Sequence, residues 1–496
     1  MTENTLLRLQ NGSDVRGTAL GDQANLTPEA VGRIAQAFVL WLAERSGKPA
    51  SSLAVGVGHD SRVTAEVLKR AALSGIAAAG ASGFDCGLAS TPAMFMGTVY
   101  PESGFDGSVM LTASHLPMDR NGMKFFTRAG GLDKPDITAL LTAAEKLSPA
   151  QTETTGRPFD LMALYTADLR EKIRLGVGAP EGTPPLAGLH VAVDCGNGAG
   201  GFFADRVLAP LGADVSGSRY LEPDGTFPNH IPNPENKEAM AAAREAVLES
   251  GADLGLVFDT DVDRMSAVLA DGTEVSRDAI IAMMAAILAP EYPGAVIVTD
   301  SVTSDHLTDF LEKSLGLRHH RFKRGYKNVI NEAIRLESTG VTAPLAIETS
   351  GHGALSENYF LDDGAYMAVR LLCAAAKEKA AGRSLGRLIE ALVPAYEARE
   401  LRIPVLCGDF QKMGKIVLAA FEERARAAGF AVAPNSYEGV RVTSSQGWML
   451  LRLSLHDPLL PLNIEGNGPG DCDALCDAAK RLLAGFDALD LSVFHG

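Results

Sequence analysis

Two short segments of this chain carry side chains whose types and spacing suit reaction chemistry. The first is Thr112-Ala113-Ser114-His115-Leu116-Pro117, followed closely by Asn121-Gly122-Met123-Lys124. A serine flanked by a histidine and a lysine reads as a nucleophile. It does not sit in the GxSxG elbow of hydrolases. A phosphate on that serine would bring a charge of about −2, which Lys124 and Arg16 would partly neutralise. The plain alternative is a Ser/His turn that caps a helix. The second segment is Asp259-Thr260-Asp261-Val262-Asp263-Arg264. Three carboxylates at alternate positions converge on one cation if the loop curls. Oxygen-only ligands suit Mg²⁺, which completes its shell with phosphate oxygens. A calcium loop needs Gly at its sixth position and Glu at its twelfth, and Arg264 and Ala270 stand there. A solvated acidic turn fits poorly after a run as apolar as Leu254–Phe258.

Two weaker segments follow. Glu348-Thr349-Ser350-Gly351-His352 sets acceptors and donors side by side, which suits neighbouring hydroxyl groups, but taken alone a plain loop is the better reading. In Arg452-Leu453-Ser454-Leu455-His456-Asp457-Pro458 a guanidinium and a hydroxyl flank a turn and suit a phosphate; an ordinary exposed strand end is the alternative. Gly196-Asn197-Gly198-Ala199-Gly200-Gly201 fits GxGxxG after a strand-like run. The acidic residue that should close the next strand is misplaced, with Asp214 too early and Glu222 late. We read it as a glycine turn packing strand on helix rather than a nicotinamide-cofactor site.

These segments need elements to position them. Short β-branched runs (Leu53–Val57, Ser108–Thr112, His190–Asp194, Leu254–Asp259, Ala295–Asp300, Pro344–Glu348) alternate with amphipathic stretches such as Val63–Ala79, Phe202–Leu211 and Val302–Leu315. Alternation of this kind predicts βα units with mixed or parallel sheets. The three loops of interest follow strand ends, where open α/β sheets build their sites. Three similar domains each donating one loop are therefore expected. The chain's end reads as a smaller α+β unit, with helices over Gln411–Ala428 and Asp471–Leu483 and strands over Val440–Thr443 and Met449–Leu453. Linker signals lie at Ser148–Arg157 and Leu392–Pro404.

At 496 residues the chain exceeds a single core, and three or four domains are expected. Its net charge of −16 argues against a general nucleic-acid or anionic-membrane binder. The six cysteines form no CxxC pair, so neither a zinc site nor a disulfide framework is expected. The apolar runs are too short to span a bilayer and the start lacks a signal-like apolar stretch. A soluble cytoplasmic protein is the expectation.

Taken in order along nearly the whole chain, the motifs resemble the α-D-phosphohexomutase family, in its phosphomannomutase/phosphoglucomutase branch. TASHLP with NGMKF is similar to the family's TASHNP…NGxK phosphoserine loop, DTDVDR to its DGDxDR metal loop, and ETSGH to its GEMSGH sugar loop. SDVRG, DCGNGAG and PDGTFPNHIPNPE also look like family signatures. The resemblance implies three similar α/β domains (1–155, 156–272 and 273–388) plus a smaller α+β domain (389–496), set around a central cleft. It implies a phosphoserine at Ser114 that shares Mg²⁺ with Asp259, Asp261 and Asp263. Arg16, His115 and Lys124 would steady the phosphate, and His352 would be a general acid/base. Glu348 and Ser350 would bind sugar hydroxyls, Arg264 would contact substrate, and Arg452 and Ser454 would hold the phosphate not being transferred. The implied reaction interconverts hexose 1- and 6-phosphates of glucose or mannose through a hexose 1,6-bisphosphate. The partners would be small sugar phosphates, and the state a monomer or homodimer.

The chain departs from the family pattern where Leu455 and His456 replace polar positions, at Asn463, and in the basic Lys323-Arg324-Gly325-Tyr326-Lys327. Phosphate recognition is thus expected to move partly onto Arg324, Lys327 or His456. A fourth loop altered in this way also raises two other readings: a synthase that releases hexose 1,6-bisphosphate, and a non-catalytic sugar-phosphate sensor.

Overall fold

The computed structural model describes residues 6–180, 182–454 and 457–495. They divide into two compact units, one running to Ser276 and including Ser350–Arg387, the other comprising Arg277–Thr349 and the residues from Leu388 onward.

In the first unit, Ala54–His59 lies parallel to both Ser82–Leu88 and Gly107–Leu111. Gly107–Leu111 is buried on both faces, as central strands of α/β sheets are. Arg120–Thr127 returns antiparallel beside Gly107–Leu111, and Asp14–Thr18 pairs antiparallel with it in turn. The register sets Arg16 opposite Gly122 and Lys124 opposite Met110. Strand pairing therefore gathers Arg16, Lys124 and the Ser114 loop at one end of one sheet.

A second sheet in this unit pairs Val191–Asp194 parallel with Leu254–Phe258, which pairs antiparallel with Met265–Leu269. The partners Phe258 and Met265 close a hairpin whose loop is the acidic segment 259–264. The glycine turn at 196–201 packs against the acidic loop: a Cβ on Gly198 would lie 2.8 Å from the Thr260 backbone. A further hairpin, Gly353–Leu355 with Leu361–Asp362, leads into the helix Gly364–Ala380. In the second unit, Val296–Thr299 lies parallel to Arg318–Arg321 and Leu345–Ile347. A separate antiparallel sheet runs Glu397–Pro404, Leu459–Gly466, Gly447–Leu451, Val440–Ser444, Ala431–Val432. The fold class is as expected.

Two expectations are corrected. The linker signal at Leu392–Pro404 contains the eight-residue strand Glu397–Pro404. It is an edge strand, and charged side chains on an exposed edge read as loop in sequence. The helices foreseen over Phe202–Leu211 and Val302–Leu315 are not regular α-helices. Phe203–Leu208 is a wide π-turn running into a tight turn at Ala209–Leu211. Pro210 there has no amide hydrogen and crowds the preceding turn. The second begins only at Asp305, because Ser304 caps it by accepting from the His306 amide, and it widens over Phe310–Ser314.

The helices Pro28–Ser46 and Ala65–Ala78 cross at glycines, and a Cβ on Gly75 would lie 2.0 Å from the Gly32 carbonyl oxygen. Gly75→Ala should push these helices apart and destabilise the unit by about 1–3 kcal/mol, the usual scale for overpacking. A lowered melting temperature checks this.

Candidate active site

Ser114 is buried and its φ is +51°, a conformation uncommon for any residue but glycine. The loop holds it there. Its amide donates to Thr112 Oγ1 at 2.9 Å, and its carbonyl accepts from Arg62 Nη2 at 2.5 Å. The hydroxyl is thereby presented to two partners: it donates to Asp259 Oδ2 at 3.0 Å and lies 3.3 Å from His115 Nδ1.

The acidic loop is equally constrained. Val262 is buried with φ +66°, and its carbonyl accepts from the Gly364 amide at 3.2 Å. The Arg264 amide donates to Asp259 Oδ1 at 3.2 Å. Thr91 opens the helix Thr91–Met96 and holds Asp261 twice, amide to carbonyl at 2.9 Å and Oγ1 to Oδ2 at 2.5 Å. Lys124 pairs with Asp261 Oδ2 at 3.1 Å and also with Asp263 Oδ2. Arg264 Nε lies 3.7 Å from Asp259 and 4.0 Å from Asp263. His352 Nδ1 sits 2.5 Å from Asp362 Oδ2 and 3.8 Å from Asp263 Oδ1.

Burial and charge divide the titration of these groups. Burial, then Asp263 and Asp261, push Asp259 well above the usual carboxylate range. Burial also lifts Asp263, but Lys124, His352 and Arg264 together outweigh it and hold that carboxyl low. Burial, then Arg264 and Arg16, press His115 down to about 3. Burial and Arg264 do the same for His352, also to about 3. Asp362 is pushed well up by burial and by Asp263. His115 and His352 are therefore neutral imidazoles at physiological pH in this charge arrangement.

The residues present fit a divalent cation. Asp259, Asp261 and Asp263 offer oxygens within 4.8 Å of one another. Asp261 Oδ1 and Asp263 Oδ1 are buried and accept no hydrogen bond among the described residues, which is costly for a carboxylate oxygen. The donor set is all oxygen, as hard cations prefer. A second grouping, Asp263, His352 and Asp362, is already closed by the direct His352–Asp362 contact.

The first unit thus brings together Ser114, His115, Lys124, Asp259, Asp261, Asp263, Arg264 and His352. Arg16 pairs with Asp14 at 2.9 Å and acts on His115 through its charge. Ser350 is buried in this unit, and its Oγ has no hydrogen-bond partner among the described residues. The second unit holds the other expected residues. Glu348 Oε1 accepts from the Gly325 amide at 2.7 Å, and Arg324 Nε lies 3.4 Å from Asp300 Oδ2. Lys327 sits in the first turn of the helix Tyr326–Ser338. Arg452 reaches Asn463 Oδ1 at 3.4 Å and Glu438 Oε1 at 3.6 Å, and burial, with Arg324 among its neighbouring charges, lowers its pKa. Arg324 and Arg452 therefore share one electrostatic neighbourhood. Ser454 Oγ accepts from the Asp457 amide at 3.1 Å. His456 lies outside the described residues.

Sequence reasoning passed over Thr91, Asp362, Asp60 and Arg62. The last two were signalled by Gly58-His59-Asp60-Ser61-Arg62, a polar loop at the end of the Ala54–His59 strand, the same criterion that found the other loops. Nothing in sequence links Thr91 to Asp261, 170 positions away.

Comparison with known proteins fits this geometry. Family models described as phosphoglucomutase/phosphomannomutase α/β/α domains I, II and III match residues 7–149, 164–272 and 276–396. The chain belongs to the phosphoglucomutase/phosphomannomutase family. It is 31% identical to a phosphomannomutase/phosphoglucomutase of Pseudomonas putida over 89% of this chain and 90% of that one. It is 33% identical to a phosphoglucosamine mutase of Salinispora arenicola over 93% and 94%. A crystal structure of a phosphoglucomutase/phosphomannomutase family protein from Burkholderia thailandensis superposes with a TM-score of 0.78 at 27% identity, covering 98% of this chain and 99% of that one. A putative phosphomannomutase from Thermus thermophilus, at 22% identity and TM-score 0.72 over 96% and 99%, shares the fold.

Thr91 orients Asp261, one of the carboxylates that could hold a cation. Thr91→Val should weaken divalent-cation affinity about 10–100-fold, the usual effect of losing such a support. Calorimetric titration with MgCl₂ measures it.

Proposed function

We propose that this chain is a phosphohexomutase that interconverts hexose 1-phosphate and hexose 6-phosphate through a phosphoserine at Ser114. The supporting observation is the placement of Ser114 Oγ 3.0 Å from Asp259 Oδ2, inside a buried triad of acids countered by Lys124. Family membership and the names of the relatives support the same reaction class. Glucose and mannose phosphates are the proposed substrates.

In the proposed reaction, phospho-Ser114 gives its phosphoryl group to a sugar hydroxyl. The Oγ–P bond breaks as the sugar O–P bond forms, leaving a hexose 1,6-bisphosphate. After the intermediate turns over, Ser114 Oγ attacks the other phosphate and reclaims a phosphoryl group. Phosphoryl transfer depends on in-line placement and charge neutralisation more than on covalent chemistry. A divalent cation, Mg²⁺ on the donor set, would be held by Asp259, Asp261, Asp263 and the Ser114 phosphate, and would neutralise the transferring oxygens. Lys124, Arg16 and His115 steady the phosphate on Ser114. His352, kept neutral and oriented through Nδ1 by Asp362, takes the sugar hydroxyl proton as the phosphate leaves serine and returns it in the reverse half. Arg264 contacts substrate oxygens. Glu348 and Ser350 accept from and donate to sugar hydroxyls, and Arg452, Ser454, Arg324 and Lys327 hold the phosphate that stays. His456 keeps its expected share in that contact.

We further propose domain limits of 1–155, 156–272, 273–388 and 389–496, and a cytoplasmic monomer or homodimer. No helix among the described residues is long and apolar enough to cross a membrane.

Intact mass should reveal phosphate on the purified protein, lost in Ser114→Ala together with roughly 10³-fold or more of the turnover, as when a nucleophile is removed. Following both products from glucose 1-phosphate with Mg²⁺ decides the reaction: bisphosphate accumulating without 6-phosphate would reject the mutase. Separate Arg324→Ala and Arg452→Ala variants should each raise KM about tenfold, on the scale of one lost charge-assisted contact. An unchanged KM in Arg324→Ala would reject the shifted phosphate contact.

A further inference from the structure

The segment Pro223–His230 has no part in the reaction described above, yet it touches the supports of both reacting loops. On one side it meets Arg62. A Cβ on Gly225 would lie 2.5 Å from the Ser61 carbonyl oxygen and 2.6 Å from Arg62 Cα, so the two backbones are in direct contact. The Phe227 ring, with φ +50°, lies 5.4 Å from the Arg62 guanidinium.

Arg62 in turn grips the serine loop. It is 2% exposed. Its Nη1 donates to the carbonyls of Pro117 and Arg120, both at 2.8 Å, and its Nη2 to those of Ser114 at 2.5 Å and Leu116 at 2.6 Å. Asp60, also fully buried, lies 3.3 Å from its Nε and accepts from its amide at 3.0 Å. Four carbonyls of one loop thus converge on one guanidinium, a planar fork that an ammonium cannot imitate.

On its other side the segment is fixed to the glycine turn beneath the acids. The Asp224 amide donates to the Asn197 carbonyl at 2.9 Å, and Asn229 Nδ2 to Asn197 Oδ1 at 2.8 Å. His230 Nε2 lies 3.0 Å from Asp194 Oδ1. The Ala199 amide then donates to the Thr260 carbonyl, inside the acidic loop, at 2.8 Å.

We infer that Pro223–His230 and Arg62 form a positioning element that sets the spacing between the Ser114 hydroxyl and the acid triad. Packed interiors transmit displacement rather than absorb it, and a reacting atom misplaced by about 1 Å costs about 10²-fold in rate. Arg62 and Phe227 are positioning residues, acting on the reaction only through the loops they hold. The inference rests on the mutase reading for its kinetic test and on structure alone for its exchange test.

The experiment uses full-length Arg62→Lys, Phe227→Leu and the double variant, with MgCl₂ and glucose 1-phosphate. Arg62→Lys should lower kcat about 10²-fold and Phe227→Leu about fivefold, with KM changed by less than threefold. The double variant should be no worse than Arg62→Lys, because both act through one element. Amide hydrogen exchange of 114–121 should quicken in both single variants while Gly107–Leu111 stays protected. Normal exchange at 114–121 in a folded Arg62→Lys, or multiplicative losses in the double variant, would overturn the inference. Should Arg62→Lys not fold, the exchange of Phe227→Leu decides alone. A wild-type protein that turns over no hexose phosphate would reject the mutase reading and leave the exchange comparison to judge the positioning element.

Discussion

Everything at this site depends on keeping three carboxylates out of water beside a hydroxyl. Asp259, Asp261 and Asp263 are each about 1% exposed or less. Ionised groups taken so far from solvent need countercharge and hydrogen bonds in nearly ideal geometry. Lys124 and Arg264 supply the first, and the Thr91 and Arg264 amide contacts supply the second. The balance is incomplete: burial leaves Asp259 inclined to hold a proton, and two oxygens of the triad lack donors among the described residues. A cation would close that balance, and a phosphoryl group on Ser114 would share it.

That requirement explains local features that would otherwise be defects. Ser114 and Val262 both take left-handed backbone conformations without being glycine, and such strain persists only where the surroundings over-determine it. Arg62 fixes four carbonyls of the serine loop, and the Gly351–Met265 and Gly364–Val262 backbone contacts brace the acidic loop. At Gly364 a Cβ would lie 2.7 Å from the Arg264 backbone, so close approach there leaves no room for a side chain. Rigidity of this kind suits a reaction governed by placement and charge.

Similarity does not choose among sugars. The relatives named for mannose and glucose phosphates and those named for glucosamine phosphate are alike at 31% and 33% identity. The sequence departs most from the family pattern at Arg324, Leu455, His456 and Asn463.

The sequence alone marked the candidate reacting groups and their immediate scaffold. Ser114, the three aspartates and the strand before each loop were legible because a strand end, a polar loop and an apolar run are local patterns. Family resemblance ordered those patterns along the chain. Tertiary structure decided the pairings that have no local signature: Thr91 with Asp261, Lys124 with two of the acids, Asp362 with His352, and Arg62 with the serine loop. It also turned the charged segment Glu397–Pro404 into an edge strand and made the two foreseen helices irregular, with wide turns over Phe203–Leu208 and Phe310–Ser314. Contacts between residues over a hundred positions apart, as from Ser114 to Asp259, join loops of two different sheets; register within each sheet places its own loop, and only the packing of the whole unit brings the two loops together.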